Sequence, residues 1–216
     1  MICEIFQNVW KIVRGFMSIG KRISEAIEKM DSSDFEGALF AICAAIDATA
    51  KKELNIRGRD AYKTFIHQNL GLITDIAFGG TKILNINLKY EHPNIKKTPE
   101  GLSSIQDIIY HVIRCGLYHE AKMPDDIKFS SEQKIKVGNN NLILPASLIY
   151  GFIVAVMISP ANKNEDTSKD EILNLYNFPI PINKLWGRRE EFLWLKDLIS
   201  EAIRIQSHRT DSKDRE

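Results

Sequence analysis

The sequence predicts a mainly α-helical fold, on three observations. Apolar residues recur at helical spacing over most of the chain. Several of these runs follow candidate capping residues, and strand-like alternation is confined to short stretches near 82–90 and 127–144. The chain has 216 residues and 44% hydrophobic content. That suffices for one domain with a real core and is too little to make two domains the default. A single helical domain is therefore expected over 1–206.

Residues 1–30 place Ile5, Val9, Ile12, Val13 and Phe16, then Ile19, Ile23 and Ile27, on a helical face. Gly15 and Gly20 are points where this stretch could part into two helices. Asp31, Ser32 and Ser33 are N-cap candidates for the next helix, in which Phe35, Leu39, Ile42, Cys43, Ile46 and Ala50 line one face as far as Lys51 and Lys52. The two lysines suit the negative end of a helix. A third helix is expected from Asp60 to about Phe78, stopped by Gly79 and Gly80. From Lys82 to Tyr90, Leu84, Ile86, Leu88 and Tyr90 alternate with polar residues, the pattern of a short strand limited by Pro93.

Thr98, Pro99 and Glu100 have the order of a cap, a first-turn proline and a first-turn acid, so a helix is expected over about 99–120. It carries Ile105, Ile108, Ile109, Val112 and Ile113 inward. Residues 127–144 alternate weakly around a Gly138-Asn139-Asn140-Asn141 turn, which predicts a small β-hairpin insertion. An apolar helix over about 146–158 follows. Residues 160–182 suit a proline-bearing loop with one helical turn at 171–176. A last amphipathic helix holds Leu185, Trp186, Phe192, Leu193, Leu195, Leu198 and Ile199. The tail 207–216 is charged and lacks apolar residues, so it is expected to be disordered.

Composition excludes several classes. The 29 Lys and Arg nearly cancel the 28 Asp and Glu, so no basic coat advertises nucleic acid or a membrane surface, and any RNA contact must be a focused site. Cys3, Cys43 and Cys115 are odd in number and widely spaced, which fits reduced thiols in a cytoplasmic protein and no disulfide framework. Glu4, Lys11 and Arg14 interrupt the apolar N-terminus, unlike a signal peptide. The stretch from Leu142 to Ser159 approaches the length of a membrane span, but Pro145 divides it and leaves about a dozen apolar residues, so no span is expected. There is no P-loop, GxGxxG, GxSxG or HExxH, and neither cofactor nor metal is expected.

The chemically telling string is Tyr110-His111-Val112-Ile113-Arg114-Cys115-Gly116-Leu117-Tyr118-His119-Glu120. An arginine followed five positions later by a histidine, at the end of a long apolar helix, resembles the Rx4–6H signature of HEPN domains. The Ala-rich helix 35–52, with Ala44-Ala45-Ile46-Asp47-Ala48, agrees with that resemblance. It implies an all-α bundle, a metal-independent endoribonuclease, RNA as substrate, a homodimer with the site at its interface, and a toxin or defence setting. Arg114 would bind phosphate and stabilise the transition state, and His119 would be general acid and base. Cys115 stands where members often carry a polar residue. Ala121 stands where some toxin members carry a tyrosine, so control by modifying that tyrosine is not implied.

The chemistry is coherent. Attack by a 2′-hydroxyl needs a base and positive charge on the phosphorane. Histidine, with an ordinary pKa near ~6.5, serves as base or acid, and arginine stays charged and grips phosphate oxygens in pairs. In a regular helix, however, residues five apart diverge by about 140°. One site therefore requires a distorted helix, which Gly116 would permit, or two chains. Tyr118 is a candidate for stacking on a base, and Arg188 and Arg189, beside Trp186, for holding RNA backbone. Each residue also has a structural reading: Arg114 as a helix cap or partner of Glu120, His119 as a C-terminal helix residue, Tyr118 as packing, Arg188 and Arg189 as a solvated helix start. A non-catalytic HEPN-like module that binds RNA, a nucleotide or a protein, or a purely structural interaction protein, are the competing functions.

Overall fold

The computed structural model describes residues 18–138, 141–167, 169–175, 178–199 and 201. The helical reading of 1–17, Cys3, the turn residues Asn139 and Asn140 and the tail 207–216 lie outside the described residues. The chain is mainly α.

Helix α1 (Ile19–Asp31) starts at Ser18, whose side chain accepts from the Lys21 amide, so Gly20 sits inside the first turn and parts nothing. Helix α2 (Phe35–Leu54) follows a three-residue break. Its cap is Asp34, which accepts from the Gly37 amide, and not 31–33, which finish α1. Helix α3 (Arg59–Ala77) ends at Phe78 as the glycine pair predicts. Strands β1 (Asn87–Leu88) and β2 (Ser103–Ser104) pair antiparallel. The expected strand over 82–90 therefore contributes only two residues.

The motif helix, α4, begins later than Thr98-Pro99-Glu100 suggests. Thr98 closes a tight turn through bonds with Leu102, and Gly101 sits at φ +77°, which ends any helix there. Ser104 is the cap and accepts from the Asp107 amide. After one α-turn (Ile105–Ile108) the helix is wound as π, over Ile109–Arg114 and again over Gly116–Glu120.

The expected hairpin is a mixed three-stranded sheet. Strands β3 (Ile127–Ser130) and β4 (Lys136–Val137) flank the central β5 (Leu142–Pro145), β3 parallel and β4 antiparallel to it. Only β4 and β5 form the hairpin, closed by a Gly138 amide bond to the Asn141 carbonyl at 2.8 Å. Helix α5 (Ser147–Met157) is buried on nearly every side and packs on α3 and α2, forming the core with Leu39, Ile42, Ile46, Phe65 and Ile73. Gly151 lets it cross α3 closely: a Cβ there would stand 2.6 Å from the Ile73 carbonyl oxygen. Among the described residues no helix is long and apolar enough to cross a membrane.

Residues 160–182 hold more structure than a loop. Strands β6 (Ile172–Leu175) and β7 (Phe178–Pro181) form an antiparallel hairpin where one helical turn was expected. The spacing of Ile172, Leu173 and Leu175 suits either form, and pairing with 178–181 decides it. Helix α6 (189–199) closes the fold against α3. Its Lys196 ammonium meets the buried Asp75 carboxylate at 2.6 Å, and Arg189 Nη2 donates to Asn69 Oδ1 at 2.6 Å.

Candidate functional site on the motif helix

Arg114 is positioned by two helices. From its own helix, Tyr110 and Tyr118 hold the guanidinium between their rings, with the Arg114 Cζ 5.3 Å from one centroid and 4.9 Å from the other. From α2, Asp47 Oδ2 accepts from Arg114 Nε at 3.2 Å and from Nη2 at 3.0 Å. The arginine's partner is thus Asp47, 67 residues upstream, and not Glu120. Burial alone would make the guanidinium easier to neutralise, but the Asp47 bonds prevail and hold it more firmly charged than an ordinary arginine. Its side chain stays 20% exposed and that of Asp47 29%. Asp47 takes two of the five N–H donors and the Cys115 thiol also bonds the guanidinium; among the described residues no second carboxylate pairs with it, which leaves donors for an anion.

The winding of α4 changes the relation of Arg114 to His119. In a π-helix the amide bonds five residues back, so positions i+4 and i+5 straddle position i, and the angle between residues five apart falls from about 140° to roughly 50–60°. Tyr118 at i+4 does touch Arg114, and exposed His119 stands next to it. Among the described residues His119 has no hydrogen-bond or ion-pair partner. The helix then ends at Ala121, in the left-handed region at φ +53°. Gly116 does not break the helix. It admits the returning chain, since a Cβ there would meet the Lys122 carbonyl oxygen at 3.1 Å and Pro124 Cδ at 3.2 Å.

Around this pair the polar surface is built rather than scattered. Phe40, on α2, stacks on Tyr118 with centroids 5.0 Å apart and planes 18° from parallel. Burial pushes the Tyr118 phenol up to about 12, so it stays protonated at neutral pH. Tyr62 meets Tyr110 edge-on at 5.4 Å and donates its hydroxyl to Cys43 Sγ at 3.2 Å. One turn earlier on α4, Asp107 takes a 2.5 Å ion pair from Lys63 and the Ser104 hydroxyl at 2.6 Å. His111 is mostly buried edge-on to Tyr110, 3.8 Å from Asp107. Burial lowers its pKa against the pull of that carboxylate.

Of the five residues singled out by sequence, two are brought into contact, Arg114 and Tyr118, and His119 follows them in the same π turn, exposed. Arg188 and Arg189 make no contact with them among the described residues. Arg188 borders an apolar cavity of about 460 Å³ with Phe178 and Phe192, and Arg189 is spent on Asn69. Trp186 is buried, with Nε1 bonded to Asn183 Oδ1 at 3.3 Å, so it offers no stacking face beside them. Asp47 and Phe40 are the contributors the sequence reading missed. The only sequence signal for Asp47 is an acid amid the small residues 44–48 of an otherwise apolar helix.

The family model described as Rv1289 matches residues 18–212. The chain belongs to the Rv1289 family. The match to Rv1289 covers every residue of the site just described, from Phe40 to His119. No curated protein and no solved structure matches the chain.

Proposed function

We propose that this Rv1289-family chain is a HEPN-type endoribonuclease that works without a metal ion, with Arg114 on the scissile phosphate and His119 carrying the proton. The observation that carries the reading is the π winding of 109–120, which turns residues 114 and 119 toward one face of a helix that would otherwise separate them. His119 removes the 2′-hydroxyl proton, the oxygen attacks phosphorus, and the bond to the 5′-oxygen breaks as that oxygen gains a proton. The products are a 2′,3′-cyclic phosphate and a 5′-hydroxyl. Arg114 holds the phosphorane oxygens through the donors that Asp47 leaves open. A homodimer, as the HEPN resemblance implies, would supply the second histidine, so that one acts as base and the other as acid. A toxin or defence role follows from the same resemblance.

Cleavage of several RNAs in EDTA, with Arg114→Ala and His119→Ala beside the wild type, tests this. The expected loss is about 10²–10⁴-fold for His119→Ala and about 10²–10³-fold for Arg114→Ala, with both variants folded. Cleavage that survives both changes would place the chemistry elsewhere. A second reading has its own support: Asp47 already neutralises Arg114, which suits a module that binds RNA without cutting it. That module retains RNA and leaves every substrate intact.

A further inference from the structure

The stack that holds Arg114 has an open end. Tyr110, the Arg114 guanidinium, Tyr118 and Phe40 follow one another, and Phe40 is last, with 44% of its surface exposed. A phenylalanine whose inner face is fixed by another ring presents its outer face as a ready platform for one more flat group. Beside it lies a cavity of about 490 Å³, walled by Phe40 and Leu117 and edged by Glu25, Asp34, Glu36 and Lys29.

We infer that this cavity is a nucleobase pocket and that the base it takes is guanine, an inference that rests on the ribonuclease reading of the adjoining Arg114–His119 site. The carboxylates repel a phosphate backbone, so what enters beside the phosphate-binding arginine is the neutral, flat part of the nucleotide. Single-stranded RNA is recognised in this way, with bases stacked on aromatic rings and bonded along their Watson–Crick edges. Carboxylates only accept hydrogen bonds. Glu36 spends one oxygen on the Met123 amide at 3.2 Å, and Glu25 spends one on Arg22 at 2.6 Å, which leaves each a second oxygen. Guanine alone among the four bases carries two adjacent donors, N1–H and N2–H, on its Watson–Crick edge. Its neighbouring O6 needs a donor, and Lys29, whose ammonium pairs with Asp34 at 2.7 Å through one of its three N–H groups, edges the same cavity. Tyr118 joins the two subsites: its one face carries Phe40 and its other the guanidinium.

The test is calorimetric titration of the full chain with 3′-GMP, 3′-AMP, 3′-CMP and 3′-UMP, run beside mapping of the cleavage positions in a mixed-sequence RNA. The expected result is 3′-GMP binding at least about 10-fold tighter than the others, and cleavage confined to sites next to guanine. Phe40→Ala and Phe40→Leu each weaken 3′-GMP about 10-fold, the second showing that stacking and not apolar bulk is at work. Glu36→Gln erases the preference without changing thermal unfolding, and Arg114→Ala weakens all four nucleotides alike. Equal binding of the four, no binding of any, or a preference that survives both Phe40 and Glu36 changes overturns the pocket. Indiscriminate cleavage overturns it too and leaves the ribonuclease reading standing. Selective 3′-GMP binding without cleavage of any RNA upholds the pocket and overturns that reading.

Discussion

Arg114 is gripped on three sides, and each grip limits a different freedom. The two tyrosines fix the plane of the guanidinium, and Asp47 fixes its rotation within that plane. A lysine could satisfy neither, because an ammonium has no plane to stack and no paired donors to align. Asp47 is thus a positioning residue, acting through the arginine. Asp47→Asn keeps one acceptor and removes the charge, so the fold should survive with a loss of about 1 kcal/mol, modest because both side chains retain contact with water. RNA cleavage should fall about 10-fold, and Asp47→Glu should restore part of it, which a merely structural role would not. Cleavage unchanged in Asp47→Asn would remove this residue from the site.

At the scale of elements, the helices were legible and the winding of one was not. Ile19, Ile23 and Ile27, or Leu39, Ile42 and Ile46, declare a buried face by spacing alone, and the structure buries them. The caps were harder, because 31–34 offers four residues in succession that can all cap a helix, and only packing of the next turn selects Asp34. The π segments leave no trace in the pattern. Ile105, Ile108, Ile109, Val112 and Ile113 satisfy α spacing, and the wider turns fall among the half-buried Tyr110, His111 and Arg114 on the other side. For the same reason Arg114 and His119 could be named from sequence while the winding between them could not, and Asp47 and Phe40 could not be named at all. Gly116 offers a direct check on this element. The Cβ of Gly116→Ala would crowd the returning 122–124 segment, so thermal unfolding should report a loss of about 1–2 kcal/mol. An alanine that stabilises the protein, as it would in an ordinary exposed helix, would mean that the close approach is not there.

For the molecule as a whole, the decisive fact is that one apolar helix, α5, is enclosed by the others, and the strand before it adds Leu142 and Leu144 to the same core. The core is therefore assembled from residues far apart in sequence, and α6 seals it late in the chain. That seal is partly ionic. Lys196 and Asp75 are each less than a tenth exposed, and although Lys196 also meets the exposed Asp197 at 3.1 Å, losing the buried carboxylate is costly. Asp75→Ala should cost about 3 kcal/mol, and Asp75→Ala combined with Lys196→Met should recover much of it, as read from chemical denaturation. A single variant as stable as the wild type would show that α6 contributes little to the fold.

Cys43 gives this enclosure a further meaning. Its thiol is fully enclosed, accepts from the Tyr62 hydroxyl, and burial pushes it up to about 12, while Cys115, on the motif helix, is only half covered. Thiolate is the form that reacts with alkylating reagents, so in the closed molecule Cys43 is silent and becomes reactive only when α2, α3 and α5 part. The protein thus carries a clock for its own global opening in the middle of the core, bonded to Tyr62, which packs on the Tyr110 that steadies Arg114. The rate at which that sulfur is captured measures how often the whole interior breathes, and Cys115 measures how often the motif helix does so alone.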